Sequence, residues 1–402
     1  MSTPLWNEHI TEFGDDMKDD TKIIHAGRAP FDHYGAVNTP VYHASTILFP
    51  TMAQYLARGT DPNVKVRYGL RGTPTSFALE DALTELESGA GTILNPSGLQ
   101  AITMAFMAFV EPGDHVLVTD NTYAPCRSFC DNFLSRFGVT TEYYDPLIGE
   151  GVKDLLRQDT KLIWTESPGS QTFEIQDISV IADIARQAGV VSIIDNTWSS
   201  GYFFKAIENG IDVSIHASTK YISGHSDVMM GAIICNEATY EKVKETTDLF
   251  GNFAAPDDVY LTLRGLRTIG VRMSRQHTNG IKVAKWLEAH PLVTKVMHPA
   301  LESDPGHEIW KRDFTGAASL FGFVINETDQ TKVAAFLDGM KLFGMGSSWG
   351  GYESLLIPTF PNENRSVTKW EPGGQTMRIH IGLEDPDDLI NDLENGLRRL
   401  AT

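Results

Sequence analysis

The chain has 402 residues, 42% of them hydrophobic and 21% charged, a composition that is typical of folded globular proteins and excludes general disorder. Its formal net charge of −19 disfavours nucleic acid and anionic membranes as partners. The acidic beginning of the chain has no apolar signal core, and no run of about 18 apolar residues could span a membrane, so we expect a cytoplasmic protein.

Residues 1–72 form the first predicted unit. They contain many turn formers, among them Pro40 and Pro50, and show little sustained periodicity. This pattern predicts an extended N-terminal arm with short helices that lies on another surface instead of folding alone.

Residues 73–265, the second unit, have the pattern of an α/β domain. Short β-branched runs alternate with amphipathic stretches such as Gly98–Val110, which predicts a mostly parallel sheet with helices on both faces. Ligands bind such sheets at the carboxyl ends of the strands. The predicted strands are Thr92–Leu94, His115–Val118, Lys161–Trp164, Val190–Ile194, Val213–Ile215 and Gly231–Ile234.

Residues 266–402, the third unit, are predicted to form a smaller α+β domain. The segment Pro358–Gly374 is rich in Pro, Asn, Glu and Gly, so it is either a loop at the mouth of an active site or an ordinary surface loop. The predicted helices are Met273–His290 and Pro386–Leu400, and the predicted strands are Ser319–Ile325 and Thr376–Ile381.

The three cysteines, Cys126, Cys130 and Cys235, lack the spacing of a disulfide framework or a zinc site. Cys126 and Cys130 are four residues apart, so one helix face could carry both. We interpret them as reduced, small core residues and expect no metal site.

The turn Asn95–Gln100 joins a predicted strand to a predicted helix. Gly98 lets backbone N–H groups approach an anion, and the helix dipole favours a phosphate at that end. A Ser-Gly pair also occurs in such turns for packing reasons, which is the alternative interpretation.

Two further positions follow predicted strands. Asp195 comes directly after a mostly apolar run, where a carboxylate could keep a pyridine nitrogen protonated, or could simply cap the next turn. Lys220 lies between two apolar segments within Ser218–Tyr221; a buried lysine forms Schiff bases readily, although most lysines are solvated. The phosphate turn, the acid and the lysine occur in this order, each at a strand end.

A last cluster lies in the third unit. Arg378 could hold a substrate carboxylate through a two-pronged contact, and Ser348–Glu353 could form a wall of the pocket. The plain alternatives are a surface arginine on a strand and a simple glycine turn.

Together these motifs resemble the pyridoxal-phosphate (PLP) enzymes of Cys/Met metabolism, the transsulfuration family. The resemblance runs from about residue 20 to the end of the chain. It implies the PLP-dependent transferase-like fold (fold type I), with a mostly parallel seven-stranded sheet in the large domain and a smaller α+β C-terminal domain. The matching motifs are Glu166–Pro168, Asp195–Thr197, Ser218–Tyr221, Gly224–His225 and Leu263–Thr268.

The resemblance also implies roles at the cofactor. Lys220 would attach PLP and, once freed, remove the substrate Cα proton. Asp195 would pair with the pyridine nitrogen, and Tyr123 would stack on the ring close to the departing thiolate. The phosphate would be held by the backbone N–H groups of Gly98 and Leu99, by Thr219, and by Tyr68 reaching over from the neighbouring subunit.

For the substrate, the resemblance implies that Arg378 and Ser348 hold the α-carboxylate with Trp349 alongside. Because Tyr68 would serve the neighbouring subunit, the arm would contact that subunit. The expected partners are therefore a small amino-acid substrate and further copies of the chain, as a tetramer built from dimers.

One departure from the family pattern concerns the phosphate. The family commonly has Tyr-x-Arg in this region, but the position of the arginine is Leu70 here. We predict that Arg71 or Arg67 compensates, or that the cofactor is held less tightly. Similarly, Ala217 stands where a hydroxyl is common, and Ser218 and Thr219 are the candidates to replace it.

Within the family the chain is most similar to the cystathionine β-lyases of bacteria, which implies an α,β-elimination releasing pyruvate. The relevant stretches include Asp145–Gly149, Trp310–Gly316 and His380–Asp385. Other family reactions stay open: γ-elimination, sulfhydrylation, cysteine desulfhydration and racemisation. A non-catalytic binding protein of the same fold is a more distant alternative.

Overall fold

The structure of the chain is a computed structural model that describes residues 17–61 and 63–401. Its helices are α1 (Asp19–His25), α2 (Met52–Ala57), α3 (Pro74–Glu87), α4 (Gly98–Phe109), α5 (Ala124–Asn132), α6 (Ile178–Ala188), α7 (Tyr240–Leu249), α8 (Pro256–Leu266), α9 (Ile269–Glu288), α10 (His307–Asp313), α11 (Gln330–Asp338) and α12 (Pro386–Arg398). Its strands are β1 (Gly91–Asn95), β2 (His115–Thr119), β3 (Thr140–Tyr144), β4 (Thr160–Glu166), β5 (Val191–Asp195), β6 (Val213–His216), β7 (Gly231–Cys235), β8 (Val293–Met297), β9 (Leu320–Ile325), β10 (Leu355–Thr359) and β11 (Gln375–His380).

The large sheet has seven strands in the order β1-β7-β6-β5-β4-β2-β3. Strand β7 runs antiparallel to both of its neighbours, and the other pairs are parallel, so the predicted fold class is confirmed. Strands β1, β2, β6 and β7 are buried along their whole length because helices cover both faces of the sheet.

The six strands predicted for this sheet are confirmed, and β3 is the one that was missed. Its sequence, Thr-Thr-Glu-Tyr-Tyr, is largely polar, and most of its residues are at least partly exposed. Because polar residues make up most of β3, it lacks the apolar run by which the other strands were found.

The small sheet is antiparallel, in the order β10-β11-β9-β8. The predicted strands β9 and β11 and the predicted helices α9 and α12 are confirmed within a few residues. Strands β8 and β10 were not predicted. Pro358, which the sequence placed in a loop, lies inside β10; proline is tolerated there because β10 is an edge strand.

Of the predicted arm, residues 1–16 and 62 lie outside the described residues. The described part contains two short helices in otherwise mostly irregular chain. Ile23 of α1 is buried, and the Arg267 guanidinium donates hydrogen bonds to the carbonyls of Ile23 and Ala26, which fastens α1 to the large domain. Farther along, several apolar side chains are exposed: Val37, Leu48, Met52, Tyr55 and Leu56.

The three cysteines are buried free thiols, and Cys126 and Cys130 both lie on α5. Their position agrees with the interpretation as small core residues. Within residues 17–61 and 63–401, no helix is long and apolar enough to cross a membrane.

Candidate active site

A cavity of about 530 Å³ lies at the carboxyl ends of β4 and β5. This volume falls within the range of about 300–1,000 Å³ that is typical of small-molecule sites. Nine of the predicted site residues line it: Gly98, Leu99, Tyr123, Asp195, Thr219, Lys220, Ser348, Trp349 and Arg378.

One end of the cavity is the start of α4. Ser97 caps this helix by accepting a hydrogen bond from the Gln100 N–H at 3.1 Å. A Cβ at Gly98 would lie 2.5 Å from the Cβ of Ala217, so glycine allows the helix to begin this close to the segment that carries Lys220. The N–H groups of a first helical turn have no partner within the helix, and they can therefore donate to an anion.

Thr219 lies beside this turn, but its hydroxyl is already engaged with Met230. It donates to the Met230 carbonyl at 3.1 Å and accepts from the Met230 N–H at 2.9 Å. The hydroxyl proton must turn toward the cavity before it can serve a phosphate. Ser218 is buried and does not line the cavity, so it does not replace the hydroxyl missing at Ala217.

Asp195 ends β5 and faces the cavity. Its Oδ1 accepts a hydrogen bond from the Thr197 N–H at 3.0 Å. Burial raises the pKa of the Asp195 carboxyl, and the hydrogen bonds of Thr197 and the charges of His216 and Lys220 offset this only in part. A carboxylate in this environment gains strongly from a ligand that brings a positive N–H group.

Lys220 follows β6 and projects into the same cavity. Its Nζ donates to the Ser348 hydroxyl at 2.8 Å and lies 5.3 Å from the centre of the Trp349 ring. Burial and the nearby charge of Arg378 lower the pKa of the Lys220 amine to about 8, with Asp195 acting in the opposite direction. A lysine with this pKa is unprotonated often enough at neutral pH to act as a nucleophile or a base.

The opposite wall comes from the turn that contains Ser348 and Trp349. Gly350 has a φ of 84°, and a Cβ there would lie 2.7 Å from the Tyr221 backbone nitrogen. Glycine therefore lets this turn pack directly against the chain beside Lys220, and the Trp349 ring lies 5.4 Å from the Tyr221 ring.

Arg378 lies on β11, and its Nη2 donates to the carbonyls of Gly346, Ser347 and Ser348 at 3.0–3.3 Å. Burial lowers the pKa of the Arg378 guanidinium to about 10, so it stays charged at neutral pH. The arginine thus both fastens the turn and brings a cation to the cavity.

Tyr123 lies just before α5 with its ring half-exposed in the cavity. Burial raises the pKa of the Tyr123 phenol, and the charges of Asp195 and Glu166 raise it further. The phenol is therefore neutral at physiological pH and can donate a hydrogen bond.

Comparison with known proteins places this cavity in a chemical context. The sequence model of the Cys/Met metabolism PLP-dependent enzymes matches residues 20–398. The chain belongs to this family.

Individual relatives of this PLP-dependent enzyme carry different names. The chain is 44% identical to cystathionine β-lyase MetC of Escherichia coli, over 96% of this chain and all of that protein. It is 40% identical to an L-alanine/L-glutamate racemase of Wolbachia pipientis, over 96% of this chain and 98% of that protein. The crystal structure of metB from Corynebacterium glutamicum is similar with a TM-score of 0.87 and 30% identity, covering 96% of this chain and 99% of that one.

The cavity fits the cofactor of the family, pyridoxal 5′-phosphate. The helix start at Gly98 suits a phosphate, the buried Asp195 suits a pyridinium nitrogen, and Lys220 offers an amine of lowered pKa to an aldehyde. The cofactor is therefore compatible with the described residues on charge as well as on volume.

Glu166 is a charged residue of the cavity to which the sequence analysis gave no role. It ends β4 directly beside Asp195 on β5, and its Oε2 accepts hydrogen bonds from the Tyr123 N–H at 2.6 Å and the Thr122 hydroxyl at 3.3 Å. Burial and the charge of Asp195 raise the pKa of Glu166 well above its usual range. Its place at a strand end in this PLP enzyme, in a motif already noted, was the signal that could have found it.

Tyr68 and Arg71 do not line this cavity. Tyr68 is half-exposed, and Arg71 forms an ion pair with Asp248 at 2.5 Å, beside a second cavity of about 290 Å³ that Leu70 also lines. Arg67 is exposed. Within one chain of this PLP enzyme, none of the described residues of the arm, 17–61 and 63–72, therefore lines the cavity that contains Lys220.

Proposed function

We propose that this chain is a cystathionine β-lyase that splits L-cystathionine by α,β-elimination into L-homocysteine, pyruvate and ammonia. It is a PLP-dependent carbon–sulfur lyase. The observation that carries the proposal is that the Lys220 amine, with its lowered pKa, shares one cavity with Asp195 and Arg378. The 44% identity to the E. coli β-lyase over nearly the whole chain supports this choice within the family.

In this proposal, Asp195 would pair with the pyridine nitrogen, and Gly98, Leu99 and Thr219 would hold the phosphate. When bound, PLP supplies a protonated ring that takes up the electrons released at the substrate Cα. Asp195 would keep that nitrogen protonated, because no cation among the described residues is in direct hydrogen-bond contact with its buried carboxylate.

Lys220 would be the base that removes the Cα proton. Its pKa of about 8 lies well below the ordinary value for lysine of about 10.4, so less free energy is needed to present the free amine at neutral pH. The Ser348 hydroxyl holds Nζ at 2.8 Å and so limits where the amine can point.

Arg378 and Ser348 would hold the substrate α-carboxylate, with Trp349 alongside. The hydrogen bonds of Arg378 to main-chain carbonyls all use Nη2, so the other edge of the guanidinium can meet a carboxylate. Tyr123, as a neutral phenol, would cover the ring and donate a hydrogen bond to the departing thiolate.

We also propose a homo-oligomer: a dimer whose two chains share their active sites, and a tetramer built from two such dimers. In it, residues 1–72 are an arm on the neighbouring subunit, residues 73–265 bind PLP, and residues 266–402 form the C-terminal domain. The exposed apolar side chains of the arm, such as Leu48 and Met52, would be covered by that contact. Tyr68 and Arg71 would reach the phosphate of the neighbouring subunit, Arg71 after exchanging its ion pair with Asp248.

A cytoplasmic location is part of the same proposal. Three buried cysteines that form no disulfide suit a reducing compartment.

The test is to add L-cystathionine or L-alanine to the purified holoenzyme and to assay pyruvate, homocysteine, 2-oxobutyrate and D-alanine separately. We expect pyruvate and homocysteine from L-cystathionine. Release of 2-oxobutyrate would instead identify γ-elimination, and would refute the proposal.

Racemisation is the second candidate, because a racemase is among the relatives and begins with removal of the same proton. D-alanine formed from L-alanine, without pyruvate from L-cystathionine, would establish it. If pyruvate release from L-cystathionine is the faster reaction, racemisation is at most a side activity.

A further inference from the structure

A buried polar cluster joins segment 361–371 to the large sheet. We call it the clasp; its members are Asp120, Arg127, Glu174, Arg365 and the main chain of residues 366–368. None of them is assigned a part in the reaction above, yet the cluster lies directly behind one wall of the active-site cavity.

Asp120 is the centre of the clasp. It follows β2, and its carboxylate is fully buried. Oδ1 accepts hydrogen bonds from the Ser366 N–H at 2.9 Å and from Arg127 at 2.6 Å, and Oδ2 accepts from the N–H groups of Val367 at 3.0 Å and Thr368 at 2.8 Å. Although burial opposes ionisation, these donors hold the pKa of Asp120 below its usual range.

Arg365 makes the second half of the clasp. Its side chain is only 5% exposed, and its Nη2 donates to Glu174 Oε1 at 2.6 Å and to the Thr172 hydroxyl. The buried Asp120 and the partly buried Glu174 are thus each matched by one guanidinium. A buried ion pair that is satisfied in this way is costly to break from one side.

Asn121 connects the clasp to the cavity wall. Its side chain donates to Glu174 Oε2 at 3.0 Å, and its carbonyl accepts from the Ser170 N–H at 2.9 Å. A Cβ at Gly169 would lie 1.8 Å from the side-chain nitrogen Nδ2 of Asn121, so the wall packs directly against the Asn121 side chain.

The wall itself is the segment 168–173. Gln171 and Phe173, which line the cavity, have φ angles of 66° and 58°, a region that residues other than glycine adopt only when their surroundings enforce it. Gln171 Oε1 is buried without a hydrogen-bond partner among the described residues. The wall therefore contains a polar atom without a hydrogen-bond partner, in a backbone conformation that depends on its support.

We propose that the clasp is a positioning device that fixes the wall 168–173 and thereby sets the affinity for the part of the substrate beyond the sulfur atom. This inference rests on the proposed β-lyase function. Lys220, Ser348 and Arg378 account for the reacting α-amino-acid end, so the wall remains to meet the distal end. That end of L-cystathionine is itself an amino acid, whose charged groups need polar partners such as the Gln171 amide when they leave water.

The test compares Asp120→Ala and Asp120→Asn with the wild-type holoenzyme on a long and a short substrate. For Asp120→Ala we expect KM for L-cystathionine to rise about tenfold, because charge-assisted hydrogen bonds that support the wall are lost. For β-chloro-L-alanine, which has no distal amino acid, we expect kcat/KM to change less than about twofold. Asp120→Asn, which keeps one acceptor oxygen, should have a KM for L-cystathionine between those of the wild type and Asp120→Ala.

Amide hydrogen exchange supplies a readout that is independent of turnover. The N–H groups of residues 366–368 should exchange at least about tenfold faster in Asp120→Ala. The matched control is Asp212→Asn. Asp212 also accepts a hydrogen bond from a main-chain N–H, that of Ser192, but it lies just before β6, at the amino ends of the strands and not at their carboxyl ends. This variant should leave unchanged the amide exchange of residues 366–368 and the ratio of kcat/KM for L-cystathionine to kcat/KM for β-chloro-L-alanine.

Unchanged exchange in Asp120→Ala, or equal losses on both substrates, overturns the inference. A wild type that acts on β-chloro-L-alanine and L-cystine but not on L-cystathionine refutes the proposed function instead. In that case L-cystine serves as the long substrate, and the clasp is judged by the same ratio.

Discussion

Two groups of buried carboxylates lie around the large sheet, and their pKa values are shifted in opposite directions. Glu166 and Asp195 face the cavity, and the pKa of each is raised by burial. Glu87 and Asp120 lie outside the cavity; although burial opposes their ionisation too, hydrogen-bond donors hold the pKa of each below its usual range.

The difference is in the number of donors. Glu87 accepts hydrogen bonds from His216, Ser214, Asn196 and the Ala206 N–H, so its charge is fully compensated inside the protein. Asp195, in contrast, accepts hydrogen bonds from one residue, Thr197, among the described residues. The carboxylates outside the cavity are thus satisfied by the fold, whereas those facing the cavity leave room for a ligand to satisfy them.

The largest effect is expected from removing the amine that faces the carboxylates of the cavity. Lys220→Ala should lower pyruvate release from L-cystathionine by at least about 10³-fold and abolish covalent attachment of PLP. Both are measured on one sample, by keto-acid assay and by the visible absorbance band. Lys161→Ala, which removes an exposed lysine of β4, is the control and should match the wild type. Elimination retained in Lys220→Ala would refute the assignment.

Asp195→Asn comes next, because it removes the charge proposed for the pyridine nitrogen while keeping the shape. We expect kcat to fall about 10²–10³-fold at saturating PLP, an effect of the size seen when one electrostatic contact to a reacting group is lost. The affinity for PLP, measured by titrating the apoenzyme, should also weaken. A kcat within about threefold of the wild type would show that the raised pKa of Asp195 has no part in the reaction.

Much of this arrangement was predictable, since the buried strands are visible in the sequence as β-branched runs. Asp195 ends one of these strands, and Lys220 follows another. The edge strands β3 and β10 were missed because their residues are polar or include Pro358, so local pattern gives no contrast. Whether such a segment forms a strand depends on its pairing with neighbouring strands of the sheet, and those neighbours can be distant in sequence.

The site shows the same limit. Lys220, Asp195 and Arg378 belong to recognisable segments, but the importance of Glu166 arises from its position beside Asp195, 29 residues away along the chain yet adjacent in register. The clasp could not be predicted at all: Asp120 and Thr368 are 248 residues apart and meet only in the folded chain. A contact over that separation leaves no periodic signal.

A change in the group outside the cavity should alter stability more than chemistry. Glu87→Gln should lower the free energy of unfolding by about 2–4 kcal/mol at neutral pH, because His216 and the Ala206 N–H lose a charged acceptor. The folded-state pKa of Glu87 is lowered, so its contribution is complete above the ordinary glutamate pKa of about 4.3 and is lost as the pH falls through the lower folded value.

Urea unfolding midpoints at neutral pH and near pH 4 measure this difference. Glu85→Gln, which alters a partly exposed ion pair with Lys22 near the end of the same helix, is the control and should cost less than about 1 kcal/mol. A gap that widens as the pH falls would contradict the lowered pKa of Glu87.

The smallest effect is expected at Glu166, and its dependence on pH separates the two groups most finely. Both of its hydrogen-bond donors, the Tyr123 N–H and the Thr122 hydroxyl, use the same oxygen, Oε2. A protonated glutamic acid and a glutamine can each keep one oxygen there and turn a donor to the other side. Since burial and the charge of Asp195 raise the pKa of Glu166 well above its usual range, the acid keeps its proton to a higher pH than an exposed glutamic acid does. Glu166→Gln should therefore match the wild-type kcat/KM within about threefold at the acid end of the profile and depart from it as the pH rises and wild-type Glu166 ionises. Rate profiles of both proteins between pH 6 and 10 test this, with Glu166→Ala, which loses the acceptor for Tyr123, expected to be slower throughout. A Glu166→Gln variant already as slow as Asp195→Asn at pH 6 would mean that Glu166 works as an anion, and the distinction between carboxylates that the fold satisfies and those left to the ligand would then have to be drawn at Asp195 alone.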